Sequence, residues 1–165
     1  MKTVVFLFVL SLAVRVCFFI PVITAGVRPV YDEKDYLGLS AAYKNCIAEI
    51  LRGTFPPSRE NLARAYWNGQ RPPLHPLVVS AGFFLFGESV TAARLMMVLL
   101  SALTTCVVYV LSRRLGGEKG AVAAALVHVF YPEFIGFSHY LWSETTYILV
   151  LLTAVYFAVR TTEGE

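Results

Sequence analysis

Long apolar runs dominate the chain and predict its architecture. Four of them are long enough to cross a bilayer, at residues 3–27, 89–114, 120–139 and 143–160. Because a spanning helix needs about 20 apolar residues, we expect about four transmembrane helices. A fifth run, residues 77–88, is too short to span and predicts an interfacial helix. The pattern is typical of an all-α integral membrane protein, with residues 1–165 as a single membrane domain.

The long segment between the first two spans, residues 28–76, has a helical pattern of its own. Within residues 35–52, apolar side chains recur at a spacing of three or four residues. This periodicity predicts an amphipathic juxtamembrane helix that lies on the membrane surface. Asp35 is suited to cap its N-terminus, and a second short helix is expected over residues 62–70.

Composition supports the membrane class and excludes others. Charged residues make up 15% of the chain, against about 25% in soluble domains. A net charge of +3 without a basic block argues against nucleic acid as a partner and leaves membrane lipid. The three cysteines match no metal-binding spacing.

Basic residues predict the orientation. The connector RRLGGEKG between the second and third spans is rich in Arg and Lys, and such short loops stay cytoplasmic. Lys2 and Arg160 then also lie inside, so residues 28–76 lie outside. We expect the first run to be a retained helix rather than a signal peptide, because it continues past Arg15 to Val27.

Several candidate chemical groups share this predicted outer face. Asp32 and Glu33 directly follow the first span, Arg71 precedes the interfacial helix, and Glu144 opens the fourth span. A carboxylate there is suited to act as a general base or metal ligand, and an arginine is suited to hold a phosphate. The alternative for the acids is a solvated loop with a helix cap. Two carboxylates would allow a divalent metal, although no full ligand set is visible and no cofactor is certain.

Other ionisable residues lie within the apolar runs. Arg15 is near the middle of the first span, His128 lies within the third, and Arg94 near the outer end of the second is expected to anchor at the interface. Such residues usually face a bundle interior or a cavity, so Arg15 is a candidate substrate contact. They leave two alternatives open: a transporter or flippase segment with an ion path through Arg15, His128 and Glu144, or a non-catalytic membrane subunit.

The order of these features, with the strings RPPLHP, LFGES, ARL, LSRRLGG and SHYLWSE, resembles a known family. It is similar to the N-terminal part of the GT-C membrane glycosyltransferases, in the protein O-mannosyltransferase and aminoarabinose transferase branch. The resemblance covers residues 10–160. Family members are several times longer, so we expect this chain to correspond to the N-terminal portion of such a fold, either as a fragment or as a shortened relative.

The resemblance implies an activity and roles for individual residues. Such enzymes transfer a sugar from a dolichyl or undecaprenyl phosphate to a protein, lipid or glycan acceptor at the outer face of the plasma (inner) membrane. Asp32 falls at the position of the catalytic base, with Glu33 as its neighbour, and Arg71 at the position of the residue that contacts the lipid phosphate. Glu144 matches an acidic position at the start of the fourth span. His75 stands where an aromatic or small residue is more usual, and we expect it to assist at the phosphate.

Overall fold

The computed structural model describes residues 2–67 and 71–162, and the regular structure in these ranges is entirely helical. The helices are α1 (Lys2–Thr24), α2 (Asp32–Leu51), α3 (Arg59–Trp67), α4 (Leu74–Phe86), α5 (Val90–Phe130), α6 (Pro132–Phe137) and α7 (Glu144–Thr162). The predicted all-α membrane class is confirmed. Residues 68–70, at the end of the predicted second short helix, lie outside the described part of the chain.

Three of the described helices, α1, α5 and α7, are long and apolar enough to cross a membrane. With 13 residues, α4 is only about 20 Å long, less than the roughly 30 Å of a hydrocarbon core. It therefore has the length expected of a helix that does not span. With 41 residues, α5 would be about 60 Å long if it were straight.

Gly117 breaks α5 into two antiparallel arms. Its backbone angles, φ 70° and ψ −174°, are not helical and favour glycine. The Thr105 hydroxyl lies 2.9 Å from Nδ1 of His128, whereas 23 residues of straight helix would separate them by about 35 Å. The chain must therefore reverse between these residues. The break lies within the connector predicted between the second and third spans.

The apolar run at residues 120–139 does not form one continuous helix. The second arm of α5 ends at Phe130, Tyr131 is extended, and α6 starts at Pro132. A proline disfavours helical geometry at the residue before it. This sequence feature, which the apolar pattern alone does not include, explains the interruption at Tyr131.

The chain divides into two compact units. The first contains Met1–Val27, Met97–His139 and Glu144–Glu165, and the second contains Arg28–Met96 and Tyr140–Ser143. In the first unit, Leu7 packs with Tyr109, Ala121 and Ala125 from the two arms of α5. Small alanines let helices approach closely, which is typical of helix packing in membranes.

In the second unit, α2 packs against α3 and α4. Its buried apolar residues include Tyr36, Leu39 and Cys46, whereas Ile50 and Leu51 are exposed. α2 begins three residues before the predicted start at residue 35, with Asp32, Glu33 and Asp35 all in its first turn, where the helix dipole favours acidic groups. The buried face of α2 therefore packs on protein over most of its length.

Candidate functional site

The N-terminus of α2 is built around a strained turn. Tyr31, which precedes the helix, has φ 43° and ψ −122°, a conformation that costs a non-glycine residue on the order of 1–3 kcal/mol. Oε2 of Glu33 accepts a hydrogen bond of 2.8 Å from the backbone N–H of Val30. This bond closes the turn and sets Asp32 as the first residue of the helix.

Asp32 is paired with Arg71, which lies 39 residues further along the chain. Nη2 of Arg71 donates to Oδ1 of Asp32 and, at 3.3 Å, to Oδ2 of Asp35. The guanidinium lies over the Tyr36 ring, 5.5 Å from its centroid. Hydrogen bonds to Asp32 and then to Asp35 raise the pKa of Arg71, so it remains charged.

The Asp32–Arg71 pair is accessible to solvent. The side chains of Arg71, Asp32 and Asp35 are 30%, 48% and 55% exposed. The structure thus brings together Asp32 and Arg71, two residues that the sequence analysis places on one face. It also adds Asp35, which does not cap the helix: the cap residue is Tyr31, which makes no side-chain capping bond.

Glu33 has a different environment from its neighbour. It is 1% exposed, and its Oε1 lies 3.1 Å from the backbone nitrogen of Leu141 and 3.6 Å from Nη2 of Arg94. Arg94, 4% exposed, is therefore half of a buried ion pair and not the interface anchor that the sequence predicts. Because ionisable residues in apolar runs usually pair with one another, the position of Arg94 in such a run is a signal that it has an acidic partner.

His75 holds the carbonyl side of the same residue, Leu141. It is 2% exposed, and its Nε2 donates to the carbonyl oxygen of Leu141 at 3.3 Å. Its ring meets Tyr36 edge-on, with the centroids 4.6 Å apart. Burial lowers the pKa of His75 to about 4, so the imidazole is neutral at physiological pH and contributes no positive charge.

These contacts form a closed circuit around the helix N-terminus. Each member touches the next, and Asp32 and Glu33 are consecutive in sequence; the members are Asp32, Arg71, Tyr36, His75, Leu141 and Glu33. The exposed members, Asp32 and Arg71, are charged. The buried members fix the chain segments that carry these two residues. The buried contacts thus hold the exposed pair, Asp32 and Arg71, in position, as a preorganised site requires.

Arg15 belongs to the first unit, where the protein already satisfies it. Its side chain is fully buried. Nε donates to the Ser101 hydroxyl at 2.6 Å, Nη1 to the hydroxyl and carbonyl of Ser11 at 2.6 and 3.3 Å, and Nη2 to Nδ1 and the carbonyl of His128 at 3.4 and 3.3 Å. All five N–H groups thus have acceptors. Arg15 clamps α1 to both arms of α5 and would have to break a bond to hold a ligand.

Glu144 also lies in the first unit, as the first residue of α7. Its Oε2 is buried and has no hydrogen-bond partner among the described residues. Its position at a helix N-terminus favours the negative charge. The structure does not add it to the circuit around Asp32, which lies in the second unit.

The exposed residues Asp32 and Arg71 supply two chemical groups. An exposed carboxylate can accept a proton, and a guanidinium can hold a phosphate or carboxylate through paired N–H donors. Within residues 2–67 and 71–162, no cluster of three His, Cys, Asp or Glu side chains is arranged to hold a metal ion. The cation that contacts Asp32 in the described structure is the guanidinium of Arg71.

Comparison with known families identifies the class of protein. Residues 70–165, more than half of the chain, match the model of the dolichyl-phosphate-mannose-protein mannosyltransferase family. The chain therefore belongs to this family, whose members are membrane glycosyltransferases. No curated protein and no solved structure matches the chain. The matched region contains Arg71, His75 and Glu144 but begins after Asp32 and Glu33, so the assignment of the acidic pair depends on the geometry above.

Proposed function

We propose that this protein takes part in sugar transfer from a polyprenyl-phosphate carrier to an acceptor hydroxyl, with Asp32 as the general base. The observation that carries the proposal is the exposed ion pair between Asp32 and Arg71. A proton acceptor and a phosphate-binding cation are the two groups that this reaction needs side by side. Membership of the family supports glycosyl transfer in general. The Asp32–Arg71 pair is our basis for proposing which residues take part.

The choice of Asp32 over Glu33 follows from their surroundings. Glu33 is buried, and both of its carboxylate oxygens accept backbone N–H groups, so a substrate could reach it only by disrupting the turn. Asp32 is 48% exposed, and its ion-pair partner among the described residues is Arg71, a side chain that can move. Glu33 therefore acts as a positioning residue that keeps Asp32 at the start of α2.

Arg71 is the proposed ligand of the carrier phosphate. In the described structure it uses Nη2 for both carboxylates, and a carrier phosphate that takes the place of Asp32 is held by paired N–H donors of the guanidinium. The two prolines that follow it fix the backbone at the entry to α4. His75, being buried and neutral, contributes by holding the Leu141 peptide rather than by neutralising the phosphate.

The proposed reaction is a single displacement with inversion. The acceptor O–H gives its proton to the Asp32 carboxylate while the acceptor oxygen forms a bond to the anomeric carbon. The bond from that carbon to the phosphate oxygen breaks, and the polyprenyl phosphate leaves with the electron pair. Arg71 stabilises the negative charge that develops on the departing phosphate.

The setting we propose is the outer face of the plasma (inner) membrane, with the N-terminus in the cytoplasm. The donor is a dolichyl- or undecaprenyl-phosphate-linked hexose or pentose, and the acceptor is a protein, a lipid or a glycan. The basic connector at residues 113–120, within α5, supports this orientation. Glu144 remains a candidate second acid on that face.

Transfer by the membrane-reconstituted protein tests this function. Labelled donor and a hydroxyl acceptor are incubated with the full chain, and the anomeric configuration of the product is read by NMR. We expect an inverted product, whose formation is lost in Arg71→Gln and retained in Glu88→Gln, a control acid whose partner is Lys44 at 3.0 Å. A retained configuration, or full activity of Arg71→Gln, would contradict the proposal.

A further inference from the structure

One nitrogen of Arg71 is shared by two carboxylates. Nη2 donates to Asp32 and, at 3.3 Å, to Asp35. The two acids are three residues apart in the first turn of α2, so their side chains lie on neighbouring parts of one helix face. Since Asp35 makes no cap, its described role is this contact with Arg71.

The pairing with Arg71 limits what Asp32 can do. A carboxylate oxygen that accepts a guanidinium N–H has a lone pair engaged and its charge partly neutralised. An acceptor hydroxyl that approaches Asp32 in this arrangement meets an occupied Oδ1. Oδ1 of Asp32 therefore becomes fully available to an acceptor hydroxyl only when the guanidinium is drawn away.

We propose that Asp35 is a positioning residue that retains Arg71 at the site when a carrier phosphate replaces Asp32 as its partner. This inference rests on the proposed function. The phosphate and Asp32 exchange on one guanidinium, and Asp35 is the partner that remains. Donor binding thereby frees Oδ1 of Asp32 to act as the base.

Asp35 is suited to this role because it and Tyr36 contact the Arg71 guanidinium independently of Asp32. The Tyr36 ring lies beneath the guanidinium, with its centroid 5.5 Å from Cζ of Arg71. Tyr36 is itself buried against His75. Asp35 and Tyr36 are consecutive residues of a helix packed on protein. Together they give Arg71 a carboxylate and an aromatic face after its bond to Asp32 is broken.

Binding of an unreactive ligand tests the exchange without requiring catalysis. A short-chain polyprenyl monophosphate without a sugar is titrated onto the nanodisc-embedded protein, and its Kd is measured for the wild type and for single variants. Asp32→Asn removes the competing carboxylate, so we expect binding to become about two- to fivefold tighter, the range for a partly exposed ion pair. Asp35→Asn removes the retaining partner, so we expect binding to become weaker by a similar factor.

The opposite directions of the two effects make the test selective. If Asp35 acted only as a nearby negative charge, its removal would tighten binding of an anion, as removal of Asp32 does. Asp35→Glu restores the carboxylate and should bind within about twofold of the wild type, while Glu88→Gln controls for the loss of an acid elsewhere in the same unit. Tighter or unchanged binding in Asp35→Asn overturns the inference.

Arg71→Gln separates this inference from the proposed function. If Arg71→Gln does not weaken binding, Arg71 is not the phosphate ligand and the proposed function itself fails. If Arg71→Gln weakens binding but Asp35→Asn does not, only the positioning role of Asp35 is overturned.

Discussion

Replacing Glu33 by glutamine should destabilise the protein strongly, because Glu33 lies at a buried crossing of three segments. Its carboxylate accepts the N–H groups of Val30 and Leu141 and pairs with Arg94 at 3.6 Å. The side chains of Glu33 and Arg94 are 1% and 4% exposed. A neutral amide removes the negative charge that faces the buried Arg94. The NH₂ group of the glutamine, which replaces one carboxylate oxygen, cannot accept the backbone N–H that this oxygen accepted.

Breaking a buried ion pair by removing one partner costs about 3–5 kcal/mol. For a chain of this size, such a loss corresponds to a thermal midpoint lower by roughly 10 °C. The assay is the thermal midpoint of the purified protein in one detergent, measured by intrinsic fluorescence. Glu88→Gln is the matched control, because its pair with Lys44 is 47% and 26% exposed and should shift the midpoint by no more than about 3 °C.

A second variant shows whether the buried charge causes the loss. Adding Arg94→Met to Glu33→Gln removes that charge, and replacing a buried pair by apolar groups is often close to neutral. We expect the double variant to recover a large part of the lost midpoint, a coupling that independent sites would not show. Equal midpoints for Glu33→Gln and Glu88→Gln would refute the structural role of Glu33.

Three further predictions concern other parts of the fold. Gly117→Ala should cost about 1–3 kcal/mol because of its φ of 70°, whereas Gly116→Ala, with equally open surroundings, should not destabilise; equal thermal midpoints would contradict this. Arg15→Lys should cost about 2–4 kcal/mol, because three donors cannot serve the five acceptor contacts of the guanidinium; a wild-type midpoint would contradict the clamp. For His75, burial lowers the pKa from 6.5 to about 4; between these values only the unfolded state binds the proton, so stability should be constant above pH 6.5 and fall by about 3 kcal/mol toward pH 4. His75→Gln should lose this dependence, and identical pH curves of the midpoint would exclude it.

The apolar pattern predicts most of the fold because burial and span length follow from local composition. It identified the helical class, a short fourth helix and an amphipathic helix after the first span. The interruptions depend on single residues: Gly117 reverses α5, and Pro132 ends the helical path at Tyr131. The polar connector around Gly117 already separates the second and third predicted spans, whereas a hydrophobicity count does not register Pro132 as a break, which is why residues 120–139 read as one run.

The candidate site could be predicted only where residue type implied a partner. Asp32 and Arg71 were placed on one predicted face, and the structure pairs them. The contact from Glu33 to Leu141 joins a side chain to a backbone group 108 residues away, and no local pattern encodes such a bond. Asp35 satisfied the composition of a helix cap, but helix α2 starts earlier and directs it to Arg71.

The central claim is that Asp32 is the proton acceptor in sugar transfer, and its most direct test is the transfer rate of Asp32→Asn. The rate is measured at saturating donor with protein that is correctly inserted and has a wild-type thermal midpoint, since Asp32 is half exposed. Loss of a general base lowers the rate by about 10²- to 10⁴-fold, and the account predicts a loss in this range. A rate within a few-fold of the wild type would contradict the assignment.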